Sequence, residues 1–276
     1  MQIELAQMAI VDWDTAHNLN TILDMIARAD VDGGTQLVTF PETALTGFPS
    51  KKNVSILAEP VNGPSITAIR EAAQKKGVAV LVGFAENADG VFHNANVLID
   101  KDGEVILHYR KTHSWASDVG VFSPGDRFVV TEWNGIKVGL LICFDIEFPE
   151  TARAIASLGA DLILVSNGNM APYGPVHDRA IRARAMENQV FAAMTNRVGA
   201  GYKLTFPGES AVIDPFGERV AYAGNAQGLT KAVLDFAKIA ESRVDYSYLR
   251  QARVSQGLTR SDQGRILVQE IAHHNN

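Results

Sequence analysis

The chain has 276 residues, 46% of them hydrophobic and 20% charged, the profile of a soluble globular protein able to bury roughly 75% of its unfolded surface. Its 25 Lys and Arg against 31 Asp and Glu give a net charge of −6 with no basic run, which excludes a nucleic-acid partner held by phosphate neutralisation. Its apolar stretches are far shorter than a membrane span, the N-terminus shows no basic-then-apolar leader pattern, and the single Cys143 excludes an intrachain disulfide and points to a reducing, cytoplasmic setting.

Residues 1–10 read as a strand, and 17–34 as a helix with apolar residues at helical spacing and a Gly-Gly stop. Residues 35–40 form a strand ending at Pro41, and 64–77 a helix opened by Pro64 and closed by Gly77. Strands follow at 78–86, 92–100 and 103–111, the last two joined by a turn over 100–103. Beyond residues 123–128 come strands at 128–133 and 137–144, a helix at 149–160 and a strand at 161–167. A helix at 176–188 precedes strands at 190–196, 209–215 and 228–236, and the polar tail from 239 leans helical. Strands alternating with helices, and no linker or repeat between them, predict one α/β domain over 1–276 with helices covering sheet.

Three strands deliver a chemically capable residue at their carboxyl ends, where layered α/β folds build sites. These are Glu42 after 35–40, Lys111 after 103–110 and Cys143 after 137–142. A free thiol is mostly protonated at neutral pH and needs a base or a favourable field. Glu42 can supply the base, and Lys111 can stabilise a thiolate and then an oxyanion. A helix dipole near Pro149 would add to that field. Taken singly, each residue also has a bland reading: an inert core thiol, a turn acid and a surface cation. Spacing alone does not join them.

Together the segments resemble the nitrilase superfamily of carbon–nitrogen hydrolases, from the first strand to about residue 250. IELAQM matches the family's opening strand, and VTFPETALTGF its glutamate motif at Glu42. HYRKTH matches the lysine motif at Lys111, and GLLICFDIEFPE the cysteine motif at Cys143. FSPGD, RARAMENQVFAAMTNRVG and the later GES and DPFGE segments also fit.

The resemblance implies a four-layer α-β-β-α sandwich that pairs into a homodimer or larger homo-oligomer, helped by the tail from about 239. It implies a Glu-Lys-Cys triad acting on a small-molecule amide with no metal or organic cofactor. Glu42 takes the thiol proton, the sulfur attacks the carbonyl, and Lys111 with the Phe144 N–H holds the oxyanion. The residues after Cys143 differ from the Cys-Trp-Glu of true nitrilases and are similar to the branch acting on aliphatic or amino-acid-derived amides. Carbamoyl hydrolysis is the alternative, and a non-catalytic binding relative is the rival from another class.

One position departs from the family pattern. Seven residues beyond the lysine the family usually has a second glutamate, and here it is Asp118, one methylene shorter. It is expected to hold the ammonium and assist Glu42, through an inward loop or a bridging water, or else to tune the site for a different substrate, with a solvated loop acid as the bland reading. Asn167, Met170 and Phe48 are expected along the substrate pocket, and Asp145 and Glu147 as helix-start acids favoured by the dipole. The seven histidines form no ligand cluster, and His273 and His274 fall in a tail expected to fray.

Overall fold

The computed structural model describes residues 1–254 and 256–271; His273 and His274 lie outside them. Two sheets carry the chain. The first has six strands in the order β14-β1-β2-β3-β4-β5. It is built from β1 (Gln2–Gln7), β2 (Thr35–Thr39), β3 (Ala79–Ala88), β4 (Val91–Ile99), β5 (Val105–Arg110) and β14 (Gly228–Val233). The three central strands β1, β2 and β3 run parallel, and antiparallel partners close both flanks.

The second sheet repeats that plan with eight strands, in the order β13-β12-β9-β8-β7-β6-β16-β15. Its members are β6 (Arg127–Trp133), β7 (Ile136–Ile142), β8 (Leu162–Asn167), β9 (Phe191–Asn196), β12 (Ala211–Ile213), β13 (Arg219–Tyr222), β15 (Thr259–Gln263) and β16 (Ile266–Glu270). Here β7, β8 and β9 are the parallel centre.

The period of two in the strands sorts side chains between layers. In β2 and β3, Leu37 and Leu81 join the core shared with Leu140 and Leu164 of the second sheet. Their neighbours Val38, Val80 and Val82 pack instead against Ile22, Met25 and Ile26 of α1 (Thr15–Arg28) and Ile66 and Ile69 of α3 (Pro64–Lys76). A short α2 (Val54–Leu57) precedes α3. On the far face, α4 (Pro149–Ser157) and α5 (Gly174–Asn188) cover the second sheet, with Ile155 and Ile181 in its core. The layers therefore run α-β-β-α, as the resemblance implied.

Three segments differ from expectation. The first helix ends at Arg28, not at the glycine pair, because Ala29 turns extended (φ −54°, ψ 135°) and the Asp30 N–H goes to Glu4 Oε1. After α6 (Ala237–Ser242) and α7 (Tyr248–Gln251), the described residues of the tail are not helical. They fold back as the hairpin β15–β16, and β16 pairs with β6. Gly264 (φ 65°) opens its two-residue loop, as primed hairpin turns require, and Val268 is buried against the sheet. A further hairpin, β10 (Val198–Gly201) with β11 (Leu204–Pro207), stands apart from both sheets.

Candidate active site

The parallel strands at the centre of each sheet end on the same side of the sandwich, and polar bonds tie those ends together. Thr39 meets Thr195 at 2.5 Å, Ser166 Oγ donates to the Phe40 carbonyl at 2.8 Å, and the Glu42 N–H donates to the Asn167 carbonyl at 3.2 Å. These bonds fix the β2 end of one sheet against the β8 and β9 ends of the other. The turn carrying Glu42 lies flat on Gly83 of β3, where a Cβ would come 2.7 Å from both the Pro41 carbonyl and the Thr43 nitrogen.

Glu42, Lys111, Asp118 and Cys143 all reach one cavity of about 250 Å³. Each is at least nine-tenths buried. Lys111 Nζ donates to Glu42 Oε1 at 2.7 Å and to Asp118 Oδ2 at 2.8 Å. Burial opposes the ammonium charge, but Glu42 and Asp118 outweigh it and hold the Lys111 pKa well above the ordinary lysine value. Lys111 is therefore a fixed cation and not a base.

Glu42 uses its two oxygens differently. Oε1 accepts from Lys111 and from Asn94 Nδ2, each at 2.7 Å, whereas the buried Oε2 accepts no conventional hydrogen bond. That bare oxygen is the one available to a proton from the neighbouring thiol. Gly168 makes the room: a Cβ there would sit 2.5 Å from Oε2 and 2.6 Å from Phe48 Cζ.

Cys143 follows β7 at the first position of a 3₁₀ turn (Cys143–Glu147), with φ of 45°. This left-handed backbone is costly for a residue with a Cβ, by about 1–3 kcal/mol, and such strain gathers at active sites. Burial pushes the thiol pKa well up and the Glu42 charge pushes it further, while the Lys111 ammonium and the Gly168 N–H pull the other way and lose. The helix proper starts only at Pro149, beyond the 3₁₀ turn that carries Cys143.

Asp118 takes the inward alternative. Its loop closes so that Oδ2 accepts from Lys111 directly and from the Trp115 N–H at 2.9 Å. Among the expected pocket residues, Phe144, Met170 and Phe48 line the cavity. Asn167 does not. It is fully buried, with its amide against Met194 Sδ, and its backbone serves the Glu42 turn. Its neighbours Gly168 and Asn169 line the cavity in its place, held by Asn196, whose Oδ1 accepts from the Asn169 N–H at 3.0 Å.

Asp145 is more than a helix-start acid. Fully buried, it accepts from Tyr109 Oη at 2.8 Å, Thr112 Oγ1 at 2.9 Å, the His113 N–H at 3.0 Å and the Ile142 N–H at 3.1 Å. It thereby locks the lysine strand end to the cysteine turn. Burial and the Asp145 charge keep the Tyr109 hydroxyl protonated. Trp115, Phe144 and Tyr173 form an aromatic wall, Trp115 meeting the other two edge-on with centroids at 5.0 and 5.7 Å. Tyr202 and Leu204, from the β10–β11 hairpin, complete the mouth.

Known proteins are similar to this chain in sequence and fold. The Carbon-nitrogen hydrolase family profile matches residues 2–244. An (R)-stereoselective amidase from a Pseudomonas species is 49% identical over 92% of this chain and 92% of its own. An omega-amidase of Xenopus tropicalis is 30% identical over 86% of this chain and 90% of its own. A crystal structure of an amidase from a Nesterenkonia species superposes with a TM-score of 0.83 at 29% identity, covering 92% of this chain and 93% of that one. A mutant of the Nesterenkonia amidase carries the acetamide moiety of fluoroacetamide on its active-site cysteine. With this coverage and this sandwich, the chain belongs to the carbon–nitrogen hydrolase family of the nitrilase superfamily.

Proposed function

We propose that this chain is a thiol amidase that hydrolyses a small primary amide to a carboxylate and ammonia through a thioester on Cys143. The observation that carries the reading is the division of labour on Glu42: Oε1 is occupied by Lys111 and Asn94, and Oε2 is left bare beside the thiol. Glu42 Oε2 takes the Sγ proton as sulfur attacks the amide carbon. Lys111 Nζ and the Phe144 N–H receive the oxyanion; the first N–H groups of a helical turn have no acceptor within it. The protonated Glu42 then gives its proton to the amide nitrogen, the C–N bond breaks and ammonia leaves. Water loses a proton to the same carboxylate and attacks the thioester, and the departing thiolate recovers that proton. One carboxylate serves both half-reactions because both exchange a proton at the same place.

The Pseudomonas relative's name supports a test with chiral substrates. Ammonia release from the two enantiomers of small α-branched primary amides should be unequal and should follow time-dependent acylation of Cys143. No ammonia from any of a panel of aliphatic amides would overturn the reading.

The same reading extends to assembly and setting. Membership of the carbon–nitrogen hydrolase family supports a symmetric homodimer. Light scattering giving a monomer mass at micromolar concentration would contradict it. A nucleophile that must remain a free thiol supports a reducing, cytoplasmic setting.

A further inference from the structure

We propose that Glu147 is a specificity-determining residue that selects amides bearing a cationic amine. This rests on the amidase reading and adds the substrate class. Among the described residues, Lys111 is the only lysine or arginine lining the cavity, and Glu42 and Asp118 already answer its charge at 2.7 and 2.8 Å. Glu147 is a third carboxylate on the same walls. Its one side-chain partner among the described residues is an imidazole, His177 Nε2 at 3.0 Å from Oε1. Arg184 does not neutralise it: that guanidinium bonds the backbone carbonyls of Ile146 and Glu147 and the carboxylate of Glu187.

The surroundings treat Glu147 as a held, open acceptor. Its side chain keeps 27% of its exposure, whereas His177 keeps only 3%. His177, which also lines the cavity, has its Nδ1 buried without a partner among the described residues, and its one side-chain hydrogen bond there orients the Glu147 carboxylate. Glu147 stands four residues beyond Cys143 on one 3₁₀ turn, which rises about 2 Å per residue and so offsets the two by ~8 Å along its axis. An amine three or four bonds from the scissile carbonyl spans the gap left once both side chains reach into the cavity. An ammonium there gains a charge-assisted hydrogen bond from a carboxylate that no lysine or arginine side chain among the described residues pairs. A substrate carboxylate would instead meet three carboxylates against the single Lys111 ammonium, which disfavours N-carbamoyl amino acids.

The test compares 4-aminobutanamide with its neutral isostere pentanamide, on the parent protein and on Glu147→Gln, which keeps the size of the side chain and an acceptor for His177. The parent should favour the cationic amide in kcat/KM by about tenfold, carried by KM. That ratio should shrink with added salt and collapse toward one in the variant. Equal kcat/KM for the two amides in the parent, or a ratio unchanged by Glu147→Gln, would overturn the proposal.

If neither amide is hydrolysed, it is the amidase reading that fails. Selectivity is then read from protection of Cys143 against iodoacetamide. Better protection of the parent by 4-aminobutanamide than by pentanamide, lost in Glu147→Gln, upholds the role of Glu147, and equal protection removes it.

Discussion

The Lys111 ammonium lies 2.7 Å from Glu42 Oε1, and this contact, with that of Asn94, occupies one oxygen of Glu42 and leaves the other without a hydrogen bond. The two charges act oppositely on Cys143: Glu42 pushes its pKa up and Lys111 pulls it down. Replacing Glu42 by Gln removes the upward push and leaves the ammonium, so the thiolate should form at lower pH than in the parent. Turnover should nevertheless fall by roughly 10²–10⁴, because no group remains to protonate the leaving nitrogen. Thiolate absorbance followed through a pH titration checks the first half, and ammonia release the second. A midpoint that rises in Glu42→Gln would mean that the carboxylate does not face the thiol as described.

Asp118 shares the Lys111 ammonium with Glu42, at 2.8 Å. Asp118→Asn keeps the shape and removes one of the charges that hold the Lys111 pKa up. The alkaline limb of the pH–rate profile should therefore move to lower pH, and kcat/KM should fall about tenfold or more for the weakened charge-assisted bond. Asp118→Glu must fit an extra methylene while the Trp115 N–H still holds the carboxylate, so it should be less active than the parent. An Asn variant matching the parent in rate and in both limbs would return Asp118 to the loop.

Gly168 is a size filter beneath Glu42. Gly168→Ala would place a methyl 2.5 Å from Oε2, and Glu42 cannot retreat because Oε1 is held by two donors. Overpacking of this kind typically costs ~1–3 kcal/mol in stability. Displacing the base should cost far more in rate, so kcat should collapse while the melting temperature falls by only a few degrees. Near-normal kcat with a large loss of stability would reverse that assignment.

Acid stability depends on a different carboxylate, one that anchors the strand leading into Lys111. Glu86 on β3 accepts from Arg110 at 2.7 and 2.8 Å and lies 3.1 Å from His108. Burial alone would raise its pKa, but the His108 and Arg110 bonds bring it down from 4.5 to about 2. A depressed carboxylate stabilises the fold above its unfolded pKa, and that contribution is lost as pH falls from 4.5 toward about 2. Both partners are about a third exposed, which reduces the contribution to about 2 kcal/mol. Denaturant unfolding at neutral pH and at the acid end should show this difference in the parent and little of it in Glu86→Gln.

Much of the site was legible because its chemistry sits where apolar runs stop. Glu42, Lys111 and Cys143 each follow a strand whose end could be read from hydrophobicity, and the order of three motifs joined them. Asn94 escaped notice although the sequence carries a cue: two asparagines, Asn94 and Asn96, interrupt a buried strand, a local violation that often marks a site. Asp145 reads as a dipole acid because its donors Tyr109, Thr112 and His113 come from a segment more than 30 residues away. The β10–β11 hairpin was invisible because Tyr202 and Lys203 make its turn at φ of 47° and 63° without the usual Asn or Gly. The tail reads as helical because it is polar overall, and the short apolar run Ile266-Leu267-Val268 becomes a strand only by pairing with the edge of β6.

The central claim is a covalent thioester on Cys143, and intact-mass spectrometry of the protein mixed rapidly with a turned-over amide tests it most directly. The account predicts an added acyl group on the Cys143 peptide, released by hydroxylamine. The adduct and ammonia production should both be absent in Cys143→Ala, which should still fold at a cost of ~1–2 kcal/mol. Sustained ammonia release by Cys143→Ala, or turnover by the parent with the acyl group on any other residue, would contradict it.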